Sequence, residues 1–591
     1  MTRRNATPSP QGGGKKLALL AALLLTTAAA PPIRPNIVIL LADDWGFTDV
    51  GAFGGEIATP NIDSLAATGV RFSNFHVAGS CAPTRAMLQT GVSSHRAGLG
   101  NMPETIPPAH RGKPGYDAVL NDRVISVAQR LRAAGYRTYL TGKWHLGHTP
   151  ATLPTGRGYD HAFALSQSGA DNFEDKPNLL LYRRADWTED AKPADLPANF
   201  YSSRVVIDKM IAYIDGGDQS KPFLASVNFL ANHIPVQAPD ADIAAYRGRY
   251  DAGWTALRES RRIAAIAKGV MPANMPMVTM RSTPDWATQF PAERRQRSGA
   301  MAAYGAMATA MDREIGRLVA HLKTTSQYDN TIFVFLSDNG AEATDPMATP
   351  FPRANALLYY DQRLERQGRP GSLTAIGAGF ASAASSPLRG YKFTASEGGL
   401  RVPMIIAWPG NPAVAKGAIA SGFAHVTDIA PTLLQAAGAA PTIPRAQAPM
   451  TGHSLMPMLV GGALNVRVPN EPLGYELAGN AVLWKGDLKL VKNLPPYGDG
   501  QWHLFDIVRD PGETIDLATA RAGDFQAMQV DYAAYAKGEQ VLDMPTGYSA
   551  PQQIIDNAMY DLLWPRLRAM VGWATVLLAL IGGGIWRLKR K

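Results

Sequence analysis

The chain has 591 residues, 46% hydrophobic and 18% charged, which excludes disorder, coiled coil and collagen and leaves one large α/β unit or up to about four domains. Its single cysteine, Cys81, excludes an intrachain disulfide framework and any zinc site built on several thiolates. A net charge of +9 invites a nucleic-acid reading, but the body carries no basic patch interleaved with aromatics, and no nucleic-acid partner is expected.

In chain order, residues 1–30 set Arg3, Arg4, Lys15 and Lys16 ahead of the apolar run Leu17 to Leu25 and a small-residue stretch, the order of a signal peptide. Short runs rich in Ile, Val and Phe follow at Asn36 to Leu41, Arg137 to Thr141, Phe223 to Leu230, Thr331 to Leu336 and Val402 to Trp408. Helix-like stretches, such as Val124 to Ala134 and Ala300 to Thr324, lie between them. That alternation predicts an α/β body, residues 33–465, with a largely parallel sheet whose ligands gather at the carboxyl ends of strands. Asp160 to Pro197 and Asp240 to Arg297 are polar and poorly periodic and read as insertions over the sheet. From 466 to 548 short alternating runs predict a small antiparallel subdomain.

The segment 549–568 then reads as a juxtamembrane linker, the uncharged stretch Ala569 to Trp586 as a transmembrane helix, and 587–591 as a basic cytoplasmic tail. On this reading the folded body is anchored at the extracytoplasmic membrane face, periplasmic in a Gram-negative cell. The basic excess sits wholly in the two ends, and residues 31–560 are neutral, so the charge is a topology signal.

Asp43 and Asp44 follow the first run, and Asp338, Asn339 and Gly340 follow a later one. Either pair alone is equally an Asx turn or a helix cap; their shared position at strand ends points to a hard divalent cation, calcium or else magnesium. In Cys81-Ala82-Pro83-Thr84-Arg85, Pro83 suits the first turn of a helix, placing Cys81 at a positive dipole end with Arg85 on the same face.

That pentapeptide resembles the C-x-P-[ST]-R signature of the type I, formylglycine-dependent sulfatases, and the continuation to Thr90-Gly91 agrees. Five further blocks fall in the family's order: Asn36 to Gly46, Gly142 to Gly147, Asn232-His233-Ile234-Pro235, Ser337 to Gly340, and Lys392 with Glu397 to Pro403. The likeness is greatest to the bacterial arylsulfatase branch. It implies an alkaline-phosphatase-like fold with a large mixed, mostly parallel sheet, and hydrolysis of a small-molecule sulfate ester. It further implies that a maturation enzyme converts Cys81 to formylglycine, one of whose hydrated hydroxyls attacks sulfur while the other expels sulfate. Asp43, Asp44, Asp338, Asn339 and residue 81 would hold the metal, with Asp338 also the base for the attacking hydroxyl. Arg85, Lys143 and His145 would orient the diol, His145 serving in the elimination; Lys143, His233 and Lys392 would bind sulfate, and His233 or Lys392 would protonate the leaving oxygen. Two alternatives remain: a phosphonate monoester or phosphodiester hydrolase of the same superfamily, and a non-catalytic membrane-anchored binding protein.

Overall fold

The first apolar run, Asn36–Ala42, is a strand buried along its whole length, and its alternate residues feed two different cores. Ile37, Ile39 and Leu41 pack into one and Val38, Leu40 and Ala42 into the other, the period-two outcome expected of a central strand covered on both faces. In this computed structural model, which describes residues 34–177, 184–280, 282–439 and 447–588 (581–588 by backbone alone), that strand lies mid-sheet. The signal segment lies outside the described residues.

Ten strands form the sheet, in the order Ile419–Ala420, Gly69–Phe72, Met404–Ala407, Thr331–Ser337, Asn36–Ala42, Phe223–Asn228, Arg137–Lys143, His161–Leu165, Trp187–Glu189, Lys192–Pro193. The central pairings are parallel, whereas Met404–Ala407 and the Trp187 edge run antiparallel, giving a mixed sheet. Register matters most at one end. Ala42 pairs with Ser337, and Leu41 and Gly142 both pair with Asn228, so four strands deliver their carboxyl ends side by side. Gly142 is required there: its φ is 96°, and a Cβ would come within 1.8 Å of the Asn228 carbonyl oxygen.

The two supposed insertions are not simple overlays. His161–Leu165 pairs in register with Tyr139 to Lys143 inside the sheet, and helix Gly253–Ala267 buries Trp254 and Arg261 against the body. Polar residues masked the helix: Arg261 is buried because it pairs with Asp49 and Glu56, which no periodicity rule anticipates.

A second sheet of four antiparallel strands, Leu473–Leu477, Asn480–Lys485, Leu488–Lys492 and Trp502–Asp506, is covered by helix Ala522–Glu539. Beyond it, helix Ala550–Ala558 leads through a π-turn into helix Trp564–Leu588. The expected transmembrane helix is overturned: among the described residues no helix is long and apolar enough to cross a membrane.

Candidate functional site

Three parallel strands supply most of the site. Asp43 and Asp44 leave the end of Asn36–Ala42, Asp338 and Asn339 leave Thr331–Ser337, and Lys143 is the last residue of Arg137–Lys143. The main chain locks these ends together: Asp338 N–H donates to Ala42 O at 3.1 Å, and Asp43 N–H donates to Ala231 O at 2.9 Å. Asp44 takes a left-handed backbone, φ 63°, which turns its carboxylate beside that of Asp43.

Helix Cys81–Thr90 enters from the same end and is wholly buried, closing at Gly91 in the left-handed conformation. Cys81 therefore sits in the first turn, its Sγ 3.5 Å from Asp43 Oδ1. Four residues on, Arg85 reaches back, donating from Nε to Asp338 Oδ2 at 2.9 Å and from Nη1 to Lys143 O at 2.8 Å, with Nη2 2.7 Å from Asp338. Lys143 Nζ lies 2.6 Å from Asp43 Oδ2, and Lys392 Nζ lies 2.7 Å from Asp44 Oδ1 and 3.1 Å from Glu342. His233 Nε2 is 3.8 Å from Asp44 Oδ2, and its Nδ1 donates to Ile234 O. His145 stands slightly apart, bonded through Nε2 to both oxygens of Glu104 at 3.2 Å.

All these side chains are buried, and that governs their protonation. Burial, reinforced by Asp338, raises the Asp43 carboxyl above the usual range. Burial also pushes Asp44 up to about 7 against the pull of Lys392. Asp338 goes the other way: burial alone would raise it, but Arg85, Lys143 and Lys392 together hold it below the ordinary carboxylate value. Burial and then Asp338 drive the Cys81 thiol well above its usual value, so the unmodified sulfur is a protonated, poor nucleophile.

The carboxylates suit a cation. Asp44 Oδ2 and Asn339 Oδ1 are buried with no hydrogen-bond partner, and ligand atoms of Asp43, Asp44, Cys81 and Asp338 lie within 4.8 Å of one another. Asp43, Cys81 and His233 form a second possible set, but the oxygen-rich group, with Asn339 beside it, matches a hard divalent ion. A cavity of about 750 Å³ opens beside His145, lined by Leu153, Gln167, Arg184, Trp187 and, from the C-terminal segment, Ala558.

All ten residues singled out in the sequence sit in this region, most in direct contact. The protein-family model described as Sulfatase matches residues 35–439. The chain belongs to the sulfatase family. It is 36% identical over 542 residues to an uncharacterized sulfatase of Schizosaccharomyces pombe, covering 88% of this chain and 96% of that one. It is 35% identical over 434 residues to the arylsulfatase of Klebsiella aerogenes, covering 71% and 91%. Among solved structures, Ps i-CgsB in complex with k-i-k-neocarrahexaose superposes with a TM-score of 0.62 at 24% identity, covering 87% of this chain and 95% of that one, a likeness of fold. This sulfatase is a sulfuric ester hydrolase whose substrates are small sulfate esters, and its family works with a formylglycine and a divalent metal ion.

Sequence reasoning missed Glu104 and Glu342, which partner His145 and Lys392. Neither lies in a motif: Glu104 is 41 positions from His145, and no periodicity marks it. Of the histidines outside the motifs, His76 and His95 are buried with Nε2 against Glu397 and Glu476, and His425 and His453 sit beside Thr427 and Glu471.

Proposed function

We propose that this enzyme is an arylsulfatase in which Cys81 is converted to formylglycine beside a calcium ion held by Asp43, Asp44, Asp338 and Asn339. The observation that carries the reading is the pair of unpartnered buried oxygens, Asp44 Oδ2 and Asn339 Oδ1, set among carboxylates at the tip of the Cys81 helix. Bound there, the two groups would supply a hydrated aldehyde as nucleophile and a cation that neutralises the ester's charge. Magnesium is the second choice for an all-oxygen set, because it demands a stricter octahedron.

The chain's own groups then divide the work. Arg85 bridges the two metal-side strands, fixing Asp338 for proton abstraction while its charge faces residue 81. Lys143 and Lys392, both held cationic by carboxylates, supply the positive field for the sulfate oxygens. His233 donates its Nδ1 proton to Ile234 O, so the neutral ring presents a bare Nε2; this supports Lys392 as the group with a proton to give the leaving oxygen. The cavity beside His145, walled in part by the 160–197 segment, suits the leaving group.

Mass analysis of the tryptic peptide 72–85 tests the modification: active protein should carry the aldehyde, and an intact thiol in active protein would sink the mechanism. Activity lost on chelation should return with calcium and less fully with magnesium. Faster turnover of an aryl phosphonate or phosphodiester than of 4-nitrophenyl sulfate would favour the phosphorus-ester alternative. Export is a further proposal, supported by the basic, apolar, small order of residues 3–30, and fractionation of cells tests it.

A further inference from the structure

His145 differs from the other site residues in lying against Glu104, a buried carboxylate outside the Asp43, Asp44 and Asp338 group. Its ring is 3% exposed, and Nε2 faces both oxygens of Glu104 at 3.2 Å while Nδ1 has no hydrogen-bond partner. A carboxylate only accepts hydrogen bonds, so a neutral imidazole in this position carries its proton on Nε2 and keeps the Nδ1 lone pair free. The backbone of His145 is itself left-handed, φ 59°, a placement that the surroundings must maintain.

Glu104 sits in a short turn, Pro103–Thr105, that is fastened from the far end of the chain. Asn557, on helix Ala550–Ala558, donates from Nδ2 to Glu104 O at 2.9 Å and to Ile106 O at 3.0 Å. Its Oδ1 accepts from Arg111, and Tyr548 donates to Thr105 O at 2.7 Å. Three consecutive carbonyls of the turn are thus satisfied by one C-terminal segment, 453 positions away in the chain for the Asn557–Glu104 contact.

We propose that Glu104 is a positioning residue that fixes the tautomer and orientation of His145 for proton acceptance at Nδ1, and that Asn557 clamps the Glu104 turn in place. The segment following the second sheet is then a brace for turnover. This inference rests on the proposed role of His145 in the sulfatase reaction.

The test uses full-length matured enzyme with 4-nitrophenyl sulfate. Glu104→Leu should lower kcat about 10- to 100-fold without raising KM, as loss of an orienting carboxylate does. Glu104→Gln, whose amide oxygen still accepts from Nε2–H, should restore most of that loss. Asn557→Ala should lower kcat by a smaller factor, and combining it with Glu104→Leu should add nothing, since both act through one contact. If Glu104→Leu fails to fold, the Gln and Asn557 variants still decide. A wild-type kcat in Glu104→Leu, a loss confined to KM, or a Gln variant as impaired as Leu would overturn the positioning role. Additive losses in the double variant would overturn the clamp. An inactive wild type would instead sink the functional reading beneath it.

Discussion

Two buried clusters of charge, one at the strand ends and one under the second sheet, use the same residue types to opposite ends. At the strand ends, Asp43, Asp44, Asp338 and Glu342 meet Arg85, Lys143 and Lys392, and two buried oxygens, Asp44 Oδ2 and Asn339 Oδ1, stay unpartnered. Under the second sheet, Glu397 meets His76 at 3.0 Å and Lys489 at 2.9 Å with Arg401 alongside, and Lys489 also meets Glu513 at 2.8 Å. There burial alone would raise Glu397, yet Lys489 and His76 hold it far below the ordinary carboxylate range, while burial raises its neighbour Glu513. A cluster with satisfied oxygens ties one sheet to another, whereas a cluster with excess, unsatisfied oxygens is built to receive something.

The largest break in this comparison comes from Asp44→Asn. Activity should fall about 1000-fold or more, while the melting temperature of metal-free protein holds or rises, because Lys392 keeps Glu342 and asparagine accepts the left-handed backbone. Thermal scans alongside rate assays check both halves. In the satisfied cluster, Lys489→Met strands Glu397 and Glu513 without their cation. It should cost about 3–5 kcal/mol in urea unfolding with turnover per folded molecule near wild type.

The Arg261 pairing with Glu56 sharpens the contrast through pH. Burial would raise Glu56, but Arg261 outweighs it and lowers the carboxyl to about 2 from 4.5. A depressed acid stabilises the fold fully above its unfolded value, and that stability is lost as pH falls from about 4.5 towards 2. Glu56→Gln should therefore flatten the acid limb of a stability profile, by roughly 3 kcal/mol at most, and leave pH dependence elsewhere unchanged. The smallest effect belongs to Lys485, whose half-exposed pair with Asp531 should be worth under about 1 kcal/mol in Lys485→Ala.

Much of the site was legible because its carboxylates sit where strands end. Asp43, Asp44, Asp338 and Asn339 follow unmistakable apolar runs, and the Cys81 pentapeptide carries its own helix start. Helix Gly253–Ala267 was misread because its buried charge, Arg261, hides its burial until its partners Asp49 and Glu56 are known. The apolar C-terminal run reads as a membrane span in one dimension; the structure instead shows a helix leading on from a segment hydrogen-bonded to the Pro103–Thr105 turn.

What the sequence determined by itself was local and periodic: strand-forming runs, the ligand types that follow them, and the order of motifs naming the family. What only the tertiary structure decided was which charges answer which. Glu104 with His145, Glu342 with Lys392 and Asn557 with the Glu104 turn are pairings across tens to hundreds of residues. Hydrophobic spacing repeats along the chain and can be read there, whereas an ion pair or hydrogen bond depends on contact in space, which only the closed sheet register supplies.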